Sequence, residues 1–205
     1  MVDVWIQKGG PVMYPLLVCS LISIALILER TFFWTLQSLR NRPKVLARAL
    51  GLVAEGKIPQ AKEILSQTKD AISKVLLTAL AANSSSPVER MEMAAGKELL
   101  QMQRFLPLMN TLITLAPLLG ILGTVTGIIH SFELLGNSVM ADPRGVSAGV
   151  AEALITTAFG LTIAIWTLLP YNHFSKKVDL VQSRMEHFAT HLEVLLKENK
   201  TIQHS

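Results

Sequence analysis

The chain has 205 residues, half of them apolar and 17% charged, with a mean hydropathy of +0.42 and a formal net charge of +4. Long uncharged stretches in such a composition indicate an integral membrane protein and exclude a soluble enzyme. The single cysteine, Cys19, excludes an intramolecular disulfide and metal sites built on thiolates, and inside an apolar stretch it reads as filler.

The first apolar stretch runs from Val12 to Leu28 and continues past Glu29 and Arg30 into Thr31-Phe32-Phe33-Trp34, long enough to span a bilayer. It lacks the basic start and small-residue cleavage site of a cleaved leader, so it is expected to be a retained signal anchor. Glu29 and Arg30 at its inner end are expected to snorkel toward water. Apolar residues then recur at helical spacing in Pro43 to Glu55, Pro59 to Thr68 and Ala71 to Ala82, interrupted at Gly51, Gly56 and Lys57-Ile58-Pro59. This pattern predicts short helices of a small bundle. Ser86-Pro87-Val88-Glu89 supplies an N-cap, a proline at the first helical position and a glutamate placed for a capping box. The helix that starts there is predicted to run unbroken into a second span, Phe105 to Phe132, with local bends at Pro107 and Pro117.

A third span covers Val146 to Phe174. Beyond Pro170, Phe174, Val178, Val181, Met185, Phe188, Leu192 and Leu195 alternate four-three spacings, the a/d pattern of a coiled-coil-like seam. At 1.5 Å per residue that helix extends roughly 30 Å beyond the membrane. The seam can pack on the chain's own helices, on a neighbouring subunit, or on both. The tail from Lys197 to Ser205 is expected to fray.

Charge sets the orientation. Twelve Lys and Arg lie from Arg30 to Arg104, five follow Phe174, and Arg144 alone lies between the last two spans. The positive-inside rule makes the middle segment and C-terminus cytoplasmic and the N-terminus external, and it accounts for the basic residues without a nucleic-acid partner. The expected class is an all-α integral membrane protein with three transmembrane helices and long cytoplasmic helical extensions. Its parts are residues 1–34 (external N-terminus and first span), 35–104 (cytoplasmic segment and stalk) and 105–132 (second span). A short outward-facing loop at 133–147, a third span at 148–174 and a cytoplasmic helix and tail at 175–205 complete it.

Glu152 is the only acidic residue inside a span. A charge in hydrocarbon costs roughly 3 kcal/mol on insertion scales, so a retained one faces a partner or water and reads as part of an ion path. Thr124 and Thr157 come out at matching depths, roughly 14 Å below the outer loop, and Thr156 stands one turn from Glu152. Hydroxyls donate and accept, so they can relay a proton through water or coordinate a cation. Gly120, Gly123, Gly127, Gly149 and Gly160 read instead as close-packing positions between helices. His130 and His173 suit the interface at span ends, and Trp166 reads as bulk facing lipid or a neighbour. No metal-ligand cluster, phosphate loop or nucleophile is recognisable.

Ala116 to Gly127, APLLGILGTVTG, followed by Ala151 to Trp166, AEALITTAFGLTIAIW, closely resembles the paired motifs of the MotA/TolQ/ExbB proton-channel family. GGPVMYPLL from Gly9, and Leu28-Glu29-Arg30, resemble the ExbB branch most. The resemblance implies a homopentamer in the bacterial inner membrane around two copies of a single-span ExbD- or TolR-like partner, whose membrane aspartate shuttles the ion. Ion flow would turn the pentamer relative to the dimer and drive work through a TonB-like transducer. By motif position, Thr124 and Thr157 match the pore-facing threonines and Glu152 the family glutamate of the third span. No cofactor is implied beyond the translocated ion, a proton in the branch resembled. The family usually carries a proline where this chain has Trp166, with Pro170 one turn later, which leaves the position of the bend open. A TolQ-like role in outer-membrane maintenance, a self-contained channel and a membrane enzyme using Glu152 are the competing readings.

Overall fold

The computed structural model describes residues 10–40, 42–81, 86–136 and 143–203. Among the described residues seven helices follow one another: α1 (Met13–Arg40), α2 (Pro43–Ala54), α3 (Ile58–Ser66), α4 (Ala71–Leu80), α5 (Pro87–Gln103), α6 (Leu106–Gly136) and α7 (Pro143–Gln203). No strand occurs among the described residues. The fold is all-α, and its helices include three segments long and apolar enough to cross a membrane: Met13–Leu39, Pro87–Glu133 and Gly149–Asn199. Most of the expected external N-terminus and the middle of the expected outer loop, residues 137–142, lie outside the described residues.

Contacts divide the chain into two units. The first comprises Met1–Arg30 and Phe105–His173. Its core is Val12, Met13, Leu16, Ala116 and Ile163, with Leu119 and Phe159 packed against it. The hydroxyls of Ser23 and Thr167, both buried, pair at 2.5 Å. On the outer faces Leu118, Ile121, Ile165 and Trp166 are exposed, as side chains meeting lipid or another subunit must be.

The expected snorkelling of Arg30 does not occur. Its side chain is 2% exposed and clamps Glu29 with two bonds, Nε to Oε2 at 2.5 Å and Nη2 to Oε1 at 2.8 Å, while the guanidinium stands 5.1 Å from the centre of the Phe105 ring. A carboxylate one residue away and an aromatic face together compensate desolvation, so the charge stays inside.

The second unit comprises Thr31–Arg104 and Phe174–Ser205. Prolines at the first or second position start α2, α3 and α5 because the missing N–H is unneeded there. Gly56 ends the α2 turn with φ of +73°, a conformation costly to any residue with a Cβ. Asp70 caps α4, its carboxylate accepting from the Ser73 N–H at 3.4 Å. Leu46, Leu50, Leu65, Ile72, Val75 and Leu76 form the interior together with Phe174, Val178, Met185 and Leu192 of the α7 seam. The seam is thus covered largely within its own chain, with Val181, Phe188 and Leu195 left half-buried.

Two expectations about α5 are corrected. Ser86 is the N-cap, but its side chain makes no bond to the first turn, so the capping box does not form. Nor does the helix run unbroken into the second span: α5 stops at Gln103 and α6 begins at Leu106. Pro107 explains the break, since its ring denies a donor to, and crowds, the carbonyl of Gln103 four residues earlier. Pro117 and Pro170 sit inside α6 and α7 without interrupting them.

Candidate ion path

The residues expected to line an ion path stand largely on facing turns of α6 and α7. Small residues bring these helices so close that side chains meet opposing backbone. A Cβ on Gly120 would stand 3.0 Å from Thr157 Cα, one on Gly127 3.0 Å from Ala153 Cβ, and one on Gly160 2.5 Å from the Ala116 carbonyl oxygen. Gly149 lies against Ser131, a buried hydroxyl that donates to the Gly127 carbonyl at 2.8 Å.

Within that seam the hydroxyls take distinct roles. Thr157, half-buried, donates across the interface to the Gly120 carbonyl at 2.8 Å. Thr156 is 1% exposed, donates back to Ala153 at 2.8 Å and fills the space left by Gly123. Thr124, half-buried, donates to Ile121 in its own helix at 2.6 Å. Each hydroxyl proton is committed to a carbonyl, which leaves the oxygen lone pairs available to accept from water or to coordinate a cation.

Glu152 stands one turn before Thr156, half-buried, with its carboxylate against the α-carbon of Gly10. A Cβ on Gly10 would overlap Oε1, and Gly10 itself has φ of +62°, where a side chain is strained. The turn Gly10-Pro11-Val12 that opens α1 therefore lies over the carboxylate. The structure brings Glu152 to the first helix and Thr156 and Thr157 to the second, and it leaves His130 at the surface, 3.7 Å from Glu133. Sequence reasoning missed the Gly10 contact, the Ser131 hydroxyl and the Ser23–Thr167 pair. Each joins residues far apart in the chain or is a lone hydroxyl, and only the GGP run hinted at one of them.

The MotA/TolQ/ExbB proton channel family matches residues 63–187, a range that holds Thr124, Glu152, Thr156 and Thr157. The chain belongs to this family. ExbB-like 1 of Synechocystis sp. is 38% identical over 93% of the chain and 77% of its own length, and ExbB-like 3 of the same organism 40% over 82% of each. TolQ of Haemophilus influenzae is 33% identical over 52% of the chain and 46% of its own length. As a MotA/TolQ/ExbB member the chain is a membrane-embedded subunit of the proton-channel type, and the facing small-residue turns of α6 and α7 are where its polar groups gather.

Proposed function

We propose that the chain is an ExbB-like motor subunit that forms a homopentamer in the inner membrane, with its N-terminus periplasmic and its C-terminus cytoplasmic. Two copies of an ExbD- or TolR-like single-span protein would occupy the centre, and a TonB-like transducer would carry the work to outer-membrane transport. The observation that carries this reading is Glu152, a spanning carboxylate followed at one turn by Thr156 and Thr157 on the seam with α6. Thr124, Thr157, Glu152 and Thr156 form the polar path, and Gly120, Gly123, Gly127, Gly149 and Gly160 allow the approach that puts Thr157 on a backbone carbonyl.

Glu29, the other carboxylate of the Met13–Leu39 segment, is held by Arg30, so a relay through Glu152 needs a second free carboxylate, which the partner would supply. One elementary charge crossing 100 mV releases ~2.3 kcal/mol, so a mechanical stroke uses several ions per cycle and suits a repeating device. A proton needs only a hydrogen-bonded chain, whereas sodium needs several oxygens, and hydroxyls already donating to carbonyls make a thin cage. The deciding experiment measures proton uptake into liposomes containing the chain with and without a single-span partner. Flux that requires the partner supports the motor reading; equal flux from the chain alone would make it a self-contained channel. A TolQ-like load is the second reading, favoured by the similarity to TolQ over half the chain.

A further inference from the structure

In the second unit α5 and α7 leave between them a cleft of about 480 Å³, with Val75 of α4 on its inner side. Residues 88–99 of α5 and 182–193 of α7 form its two walls. At 1.5 Å per residue each wall runs roughly 16 Å, three helical turns. The inner lining is apolar and adaptable. Met91 on one wall and Met185 on the other are almost fully buried, and unbranched thioethers repack around varied shapes. Gly96 and Ala189 put small residues on opposite walls, where another backbone can come close. A Cβ on Gly96 would meet nothing within 4 Å, so the chain itself leaves this stretch unfilled.

The rim of the cleft is acidic. Glu92, Glu186 and Glu193 line it, and no Lys, Arg or His does so among the described residues. Lys197 offsets Glu193 at 2.7 Å, whereas Glu186 accepts from a neutral donor, the Gln182 amide, at 3.0 Å. Glu92 and Glu186 are both exposed, one on each wall. A cleft that is apolar within and negative at both edges complements a segment that is apolar on one face and positive at its flanks.

We propose that this cleft docks a cationic amphipathic helix of a partner protein, about three turns long. Its apolar face would meet Met91 and Met185, and its Lys or Arg side chains would reach Glu92 and Glu186. Recognition of a helix in a groove uses apolar anchors at i, i+3 or i+4 and i+7, a spacing that three turns accommodate. A second copy of this chain fits less well, because the exposed basic face of α2, Lys44, Ala47, Arg48 and Gly51, carries no large apolar anchor. Nothing in this assignment depends on ion conduction.

The test is fluorescence anisotropy of a labelled peptide of about twelve residues, enough for three turns, with leucine and lysine at helical spacing. It is titrated with the full-length protein in zwitterionic nanodiscs, and empty nanodiscs give the background. Wild type should bind it saturably and about fivefold or more tightly than a leucine–glutamate peptide of the same pattern. Glu92→Gln with Glu186→Gln should weaken binding about fivefold, the size of two exposed ion pairs. Gly96→Leu fills the cleft and should abolish saturable binding with no change of oligomeric state in native mass spectrometry. A folded Gly96→Leu protein that separates into smaller assemblies would assign the cleft to a second copy and overturn the proposal. No saturable binding to wild type, equal binding of the two peptides, or full affinity in the double glutamine variant would overturn it as well, even if Gly96→Leu failed to fold.

Discussion

Thr157 of α7 donates its hydroxyl to the carbonyl of Gly120 on α6, 2.8 Å away and 37 residues earlier in the chain. The bond exists because Gly120 has no side chain to hold the helices apart. It ties a polar residue of the proposed path to the packing of the seam.

Thr157→Val removes that donor while keeping the shape, and Thr157→Ser restores it. An interhelical hydrogen bond in a membrane is worth ~0.6 kcal/mol on average, so assembly should survive both changes. Partner-dependent transport should fall in the valine variant and recover in the serine one. Full activity of Thr157→Val would remove this hydroxyl from the path.

Gly160→Ala should be far more damaging than Gly96→Ala. A Cβ at residue 160 would come 2.5 Å from the Ala116 carbonyl oxygen, a backbone atom that moves only if the helices part, whereas nothing lies within 4 Å of a Cβ at residue 96. In α5, alanine at residue 96 should gain up to about 1 kcal/mol from helix propensity. Thermal melts in detergent with size-exclusion profiles should show loss of the folded assembly in the first variant and an equal or higher melting temperature in the second.

Gly10→Ala should displace the Glu152 carboxylate, because the flexible side chain yields more readily than the turn. The positive φ adds a strain of roughly 1 kcal/mol. Labelling of Glu152 by a hydrophobic carbodiimide should change in rate without loss of the folded protein, and transport should drop in both Gly10→Ala and Glu152→Gln. An unchanged labelling rate would show that the carboxylate does not rest on Gly10 in the membrane.

Asp70 gives a dependence on pH. Burial pushes its carboxyl above the usual carboxylate range, against the opposing pull of the Ser73 N–H and of Arg184. With the folded pKa raised, the native state holds the proton more tightly than the unfolded chain does. This contribution is therefore fully present below the unfolded value of about 3.9 and is lost as pH rises through the folded one. Asp70→Asn keeps a capping oxygen, so melting temperatures should become less sensitive to pH from 4 to 7, with no loss at pH 7. A steeper dependence in the variant would contradict the burial of this group.

Hydropathy and punctuation alone determined the elements. Uninterrupted apolar length gave three membrane-crossing candidates because a bilayer demands about twenty such residues in one helix. Pro43, Pro59 and Pro87 marked helix starts, because a residue without an N–H leaves no hydrogen bond unmade there, and the short helices end within two residues of where the apolar spacing stops. The α7 seam was equally legible, since a four-three repeat defines a face whatever covers it. Tertiary structure decided which turn meets which. The pairing of Thr157 with Gly120, the rest of Glu152 on Gly10, the burial of Arg30 beside Phe105 and the meeting of Trp34 with Lys177 all join distant segments through the rotation of each helix about its axis. Inside a bilayer, lipid tails are as apolar as the neighbouring helix, so hydrophobicity does not choose that rotation. Close approach at glycine and a few hydrogen bonds do, and they are formed only once the helices are packed.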